Sequence, residues 1–337
     1  MTIKAAVIGV GSMGRNHARV YWELPDVELV GVADTNQNTS ETIANRYNTK
    51  VYADYRKMLD EQKPEAVAIC VPTSLHLEIA LDVIQRGIHV LVEKPISSSV
   101  EEGKLMIAAA EKARVKLMVG HIERFNPAVI ALKEQLAKNK LGKVFNVGAH
   151  REGPLPQRIN DVGVVIDLAV HDLDIIRYVT QKEIVRLYAE TQCGIHSKYE
   201  DLMSALLRLS DGTIGSLVIN WITPTKIRNF FVTGECGMFK VDYLTQDLYF
   251  HENSLVDESE WATLGLLRGV REGSMIRYHV NKKEPLRAEQ EAFLKSFTND
   301  TEVPVTGEDG LRALELAQAL VTSGHEHRLI SLNHSDS

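Results

Sequence analysis

The sequence predicts an α/β protein: an N-terminal Rossmann dinucleotide-binding domain, then an α+β domain built on a large, mostly antiparallel open sheet. Three observations predict it. The first 120 residues alternate short apolar runs with helical stretches, and a glycine-rich turn closes the first apolar run. Beyond Pro127 the rhythm changes to strand after strand with turn punctuation.

The runs Ile3 to Val10, Val27 to Ala33, Val51, Ala66 to Val71, His89 to Val92 and Lys116 to Gly120 read as strands. Between them Ser12 to Leu24, Ser40 to Tyr47, Tyr55 to Gln62, His76 to Arg86 and Val100 to Arg114 read as helices. Strands that are apolar throughout are buried on both faces, and their alternation with helices gives βαβ units in a parallel, doubly wound sheet. In the second part, helix Ala128 to Lys138 leads to strand Val144 to His150, a turn-rich stretch Arg151 to Asp161, and helix Val164 to Val179. Strands then run from Ile184 to Phe250, with Asp211-Gly212 as a hairpin turn. Ser254 to Lys283 reads as a surface loop or hairpin, and Glu289 to Thr298 and Glu308 to Thr322 as amphipathic helices. The expected domains are 1–123 and 124–330, with a frayed tail at 331–337.

Bulk properties narrow the function. Over 337 residues the chain is 44% hydrophobic and 25% charged, with a net charge of −7 and no basic block. That composition excludes nucleic acid or an anionic membrane as the main partner. No apolar run approaches the roughly 18 residues of a spanning helix, and no secretory signal is expected. Cys70, Cys193 and Cys236 are too far apart for a metal cluster or a disulfide framework, so reduced thiols, no metal and a cytoplasmic location are expected. An open sheet covered by helices on one face needs company on the other, which predicts a homodimer or homotetramer.

The chemistry begins at Gly9-Val10-Gly11-Ser12-Met13-Gly14, after an apolar strand and before a helix. The glycines allow a tight turn, approach of a pyrophosphate to the backbone, and close helix–strand packing. The next strand ends in Asp34, about 20 residues on, where an acid binds the adenine ribose hydroxyls. Thr35 and Asn36 follow, with no arginine for a 2′-phosphate, so NAD is expected over NADP. The strand His89 to Val92 delivers Glu93-Lys94-Pro95 at its C-terminal end, where ligands of open α/β sheets bind. Lys94 there is a candidate proton carrier, and the peptide before Pro95 a candidate cis bond. On the apolar helix Val164 to Val179, Asp167, His171, Asp174 and Tyr178 are spaced by four, three and four, forming one polar stripe. Histidine suits proton transfer near neutral pH, and an aspartate one turn away can orient it.

Gly9-x-Gly11-x-x-Gly14, Glu93-Lys94-Pro95 and Asp167-x-x-x-His171, with Gly307-Glu308-Asp309-Gly310 at the last long helix, resemble the glucose–fructose oxidoreductase/inositol dehydrogenase/MocA family in order and spacing. The resemblance spans nearly the whole chain. It implies oxidation of a sugar or cyclitol with NAD(P), with Lys94, Asp167 and His171 as catalytic residues. It also implies Glu93 near the nicotinamide ribose, and Thr73 and His76 lining the cofactor cleft. Many members carry Gly-Gly where this chain has Val162-Gly163, a departure that affects loop shape more than chemistry.

Arg124, at the start of the second domain, and Arg151 and Arg158, in the turn-rich stretch, are candidates for binding phosphate or carboxylate bidentately. Those stretches and the segment Asp161 to Asp172 are similar to the family's UDP-N-acetylglucosamine 3-dehydrogenase branch. This implies a UDP-sugar substrate oxidised to its 3-keto form, which a separate pyridoxal-phosphate aminotransferase then consumes. The base stays open between Lys94 and His171. Two other readings stay open: a dehydrogenase of a free sugar or cyclitol, and a non-catalytic NAD-binding regulator.

Overall fold

The computed structural model describes residues 2–156, 162–195, 198–254 and 271–332. Arg158, most of the stretch expected as a surface loop or hairpin, and the end of the expected frayed tail lie outside these residues. The chain divides into two compact units, Met1–Ile122 with Glu284–Glu315, and Glu123–Lys283 with Leu316–Ser337.

The assignment of Glu284–Glu315 corrects the expectation that everything after residue 123 belongs to the second domain. Helix Pro285–Thr298 brings Phe297 onto the His89 ring with centroids 4.3 Å apart, and the Val305 carbonyl accepts from the Val119 amide at 3.2 Å. Helical periodicity marks an amphipathic helix but carries no information about which sheet it covers.

In the first unit six strands pair in the order β3-β2-β1-β4-β5-β6, every pair parallel. They are β1 Ile3–Ile8, β2 Val27–Ala33, β3 Lys50–Tyr52, β4 Ala66–Ile69, β5 His89–Glu93 and β6 Leu117–Gly120. Ala66, Val67, Ala68 and Ile69 are all at 0% exposure, the signature of a strand covered on both faces. Helices start where the sequence offers caps: the side chains of Asn36, Asp54 and Ser99 each accept a backbone N–H of the first turn. The strand order reverses between β1 and β4, the switch point at which ligands of such sheets bind.

The second unit holds a nine-stranded sheet, β14-β13-β12-β11-β7-β10-β9-β8-β15. Its strands are β7 Val144–Pro154, β8 Ile184–Gln192, β9 Leu202–Leu209, β10 Ile214–Asn220, β11 Ile222–Gly234, β12 Gly237–Asp242, β13 Asp247–Ser254, β14 Arg271–Tyr278 and β15 Ile330–Ser331. Apart from β7 with β10, the described pairs are antiparallel. Burial alternates along β9, so one face is packed, while Leu206 on the other is 60% exposed. Trp221, Phe230, Phe239 and Phe250 fill the packed side with Leu173 and Ile176 of the helix α7, Val170–Thr180.

Two expectations are corrected here. β7 continues past His150 to Pro154, because β11 pairs with it as far as Pro154↔Ile222. Gly153 and Pro154 therefore lie in a strand and not in a turn. The helix expected from Val164 opens as a π-turn, Val165–Ala169, before α7 begins. That turn sits where the Glu200 side chain accepts from the Val165 amide at 3.3 Å and its carbonyl accepts from the Val164 amide at 2.9 Å. Gly163 makes room for it, since a Cβ there would lie 2.0 Å from the Glu200 carboxylate.

Candidate active site

In the first unit the glycine turn has the geometry its sequence predicts. Gly9 has φ +82°, and a Cβ on it would meet the Cys70 carbonyl oxygen at 2.7 Å. A Cβ on Gly14 would fall 1.7 Å from the Gly9 carbonyl oxygen, so helix α1, Gly14–Glu23, can only begin this close with glycine. A Cβ on Gly11 would have nothing within 4 Å, which leaves that backbone facing open space. The amides of Ser12, Met13 and Gly14 open the helix, where N–H groups lack intrahelical acceptors and favour an anion.

Asp34 follows β2 directly, its carboxylate held by two backbone donors, the amides of Val10 and Asn36, each at 2.8 Å. Beside it a cavity of about 270 Å³ is lined by Gly9, Gly11, Asp34, Pro72, Leu75 and Ile79, among others. A bare glycine backbone, a fixed acid and an apolar slot fit the pyrophosphate, ribose and adenine of a dinucleotide. Pro72 and Leu75 line this cavity where Thr73 and His76 were expected. Thr73 is in the same short turn, half-buried. His76 is only 1% exposed, with Nδ1 3.0 Å from the Pro95 carbonyl oxygen and Nε2 3.0 Å from that of Val71, the neutral ring donating its one N–H to one of them. Burial pushes its imidazole pKa down. It braces the turn after β4 against the segment after β5.

Glu93 ends β5, and the Lys94–Pro95 peptide is cis. Sequence reasoning missed what holds Glu93. His17, at 0% exposure on α1, has Nε2 2.9 Å from Glu93 Oε1 and Nδ1 2.8 Å from Gln290 Nε2. Gln290 Nε2 also reaches the His17 carbonyl at 3.3 Å, so the amide nitrogen must face this way and donate to Nδ1. The remaining ring proton is then on Nε2 and is donated to Glu93. Burial would raise the Glu93 carboxyl, but His17 and the Lys94 charge outweigh it and bring it down. The adjacent Glu289 is fully buried with no partner for either oxygen among the described residues; burial, then the Glu93 charge, pushes it well up. The Cys70 thiol, within 4.8 Å of the His17 and Glu93 ligand atoms, is raised chiefly by burial. A motif search finds none of this, because Gln290 and His17 are 273 residues apart.

In the second unit Asp167 lies on the π-turn, 7% exposed, and His171 in the first turn of α7. Inserted π-turns mark functional sites, and this one breaks the expected single stripe. Asp174 is fully buried and takes Arg124 bidentately, Nε at 2.8 Å and Nη2 at 2.6 Å. Tyr178 lies under Arg124, 4.9 Å from ring centroid to guanidinium carbon. Asp172, also fully buried, takes Arg151 through Nε at 2.6 Å and Nη2 at 3.0 Å, and Glu123 takes its Nη1 at 3.1 Å.

Arg124 and Arg151 were expected to bind a substrate anion. The structure corrects this: both are buried and committed to aspartates of α7, because a buried guanidinium needs a partner and these supply it. Burial would lower Arg151, yet Asp172 and Glu123 raise it overall. Arg228 on β11 was missed; it is half-buried, with Nη1 donating to the carbonyls of Glu152 and Ile227.

Residues 3–121 match a family described as an oxidoreductase family with an NAD-binding Rossmann fold, and residues 129–240 match the GFO/IDH/MocA C-terminal domain. The chain is 29% identical over 315 residues to UDP-N-acetylglucosamine 3-dehydrogenase of Acidithiobacillus ferrooxidans, covering 94% of this chain and 95% of that one. A solved structure of that enzyme aligns with a TM-score of 0.83 at 27% identity, over 96% of this chain and 97% of the other. scyllo-Inositol 2-dehydrogenase (NAD(+)) of Bacillus subtilis is 30% identical over 233 residues, 66% of this chain and 68% of the relative. Among the described residues no helix is long and apolar enough to cross a membrane.

Proposed function

This chain belongs to the GFO/IDH/MocA oxidoreductase family, and on that premise we propose that it oxidises the 3-hydroxyl of UDP-N-acetylglucosamine to a ketone with NAD. The observation that carries this reading is the near full-length similarity to the UDP-N-acetylglucosamine 3-dehydrogenase of Acidithiobacillus.

When bound, NAD supplies the hydride acceptor. The turn Gly9 to Gly14 holds its pyrophosphate on backbone amides, and Asp34 holds the adenine ribose. Glu93, fixed by His17, orients the nicotinamide ribose. Lys94 or His171 takes the proton of the sugar hydroxyl, and Asp167 orients His171. The 3-keto product has the chemistry an aminotransferase requires. The solvent-facing side of the nine-stranded sheet pairs with further copies of the chain.

Purified protein with NAD is expected to form NADH with UDP-N-acetylglucosamine and not with myo-inositol, scyllo-inositol or glucose. The similarity to the Bacillus relative favours a second reading, oxidation of a free cyclitol, and NADH from scyllo-inositol alone would establish it. NADH formation from any sugar excludes a non-catalytic NAD-binding regulator.

A further inference from the structure

Arg124 and Arg151 of the second unit hold aspartates of α7, while Arg228 on β11 is held by backbone carbonyls. Arg124 and Arg151 each present the edge formed by Nε and Nη2 to an aspartate, Asp174 and Asp172. Arg228 pairs in register with Arg151 across β7 and β11, so both side chains leave the same face of the sheet. Its Nη1 is used by the carbonyls of Glu152 and Ile227. Its Nε and Nη2 edge meets no acceptor among the described residues, and Arg228 forms no ion pair with a described carboxylate.

Gly153 lies beside it: a Cβ there would make ordinary van der Waals contact with Nη1 and Nη2, each at 3.8 Å, and with Lys226 Cγ at 3.5 Å. Lys226, exposed, adds a second positive charge. Burial and the Arg151 charge press the Arg228 pKa down, more than Asp172, Glu123 and Asp167 raise it. A half-buried cation without its own counter-ion is costly unless an anion arrives from outside the chain.

We propose that Arg228 is an anion-binding residue of the substrate site, its Nε and Nη2 edge taking a phosphate or carboxylate group carried by the sugar. Arg151, the register partner of Arg228, is bound to Asp172, the residue that follows His171, so the anion belongs to the molecule presented to the Asp167–His171 segment. Arg228 then discriminates between substrate classes, since a charged sugar gains a bidentate contact and a neutral cyclitol gains none. This rests on the function proposed above and deepens it.

The test is thermal stability and kinetics of the full chain at saturating NAD, wild type against Arg228→Gln and Arg228→Lys. UDP probes the phosphate arm, glucuronate the carboxylate arm, and myo-inositol serves as the neutral control. One of the two anions is expected to raise the melting temperature of the wild type, and myo-inositol is not. Arg228→Gln removes an unpaired charge, so it is expected to melt no lower than wild type and to lose the anion response. Its KM for the anionic sugar is expected to rise on the order of 10- to 100-fold with kcat less affected, as when a hydrogen bond to a charged group is removed. Arg228→Lys keeps the charge but loses the two-donor edge, and it is expected to weaken the response as well. An equal response in wild type and both variants, or no response to either anion, overturns the proposal. An Arg228-dependent anion response without NADH from any sugar leaves this proposal standing and removes the dehydrogenase reading. NADH formation with an unchanged KM in Arg228→Gln does the reverse.

Discussion

The charged groups around the glycine turn and those along α7 are held differently. Around the glycine turn of the first unit, Asp34 is held by backbone amides and Glu93 by the His17 ring, while Glu289 has no partner among the described residues. Along α7 of the second unit, full charges are matched with full charges: Arg124 with Asp174, and Arg151 with Asp172 and Glu123. The difference teaches where each unit is sensitive. Glu93 and Glu289 carry shifted pKa values and make the first unit sensitive to pH, whereas closely matched ion pairs respond to the loss of a partner. A guanidinium left out of such a matched set, as Arg228 is, stands out against that background.

The largest effect expected concerns the residues proposed to move the proton. Lys94→Ala in the first unit and His171→Ala in the second are each expected to lower kcat by about 10²- to 10⁴-fold while NAD binding, followed by fluorescence titration, survives. If one variant keeps full activity, the chemistry belongs to the unit that holds the other.

Next comes the ion-pair side of the comparison. Asp172→Ala leaves Glu123 as the remaining carboxylate partner of buried Arg151, and a loss of about 3–5 kcal/mol in unfolding free energy is expected from denaturant titration. The double variant Arg151→Met with Asp172→Leu should lose much less. Equal losses would show that packing, not charge matching, organises α7.

A smaller effect separates the two glutamates of the first unit. Glu289 has a raised pKa in the fold, so its contribution is complete below its ordinary value of 4.5 and is lost as pH rises toward the folded value. Glu93 is lowered from 4.5, so its contribution is present above that value and is lost as pH falls through the folded one. Glu289→Gln is therefore expected to raise the melting temperature at neutral pH and to flatten its decline between about pH 5 and pH 8. An unchanged profile would mean that Glu289 is charged in the fold. The smallest effect is at Asp34: Asp34→Ser is expected to weaken NAD on the order of tenfold and to narrow the preference over NADP, read from KM for each cofactor.

Legibility follows the same division. The glycine turn and Asp34 were readable because they are made by short segments in which local backbone geometry and one side chain suffice. Asp167 and His171 were readable as a spacing, but not the π-turn beneath them, since Glu200 and Gly163 create it from outside the helix. Arg151 was misplaced because Gly153 and Pro154 resemble a turn until β11 pairs with them. Whether an arginine is spent on an aspartate or left open depends on the pairing of β7 with β11 and on what α7 buries. His17, Gln290 and Glu289 stayed hidden for a similar reason, as the chain leaves the first unit and returns before Gln290 meets His17.

The decisive measurement is the appearance of NADH when the purified protein meets NAD and UDP-N-acetylglucosamine. NADH is expected in step with a 3-keto sugar, and to form about 10²- to 10⁴-fold more slowly in Lys94→Ala and in His171→Ala. NADH from free cyclitols alone, or undiminished NADH in both variants, would contradict the proposed function.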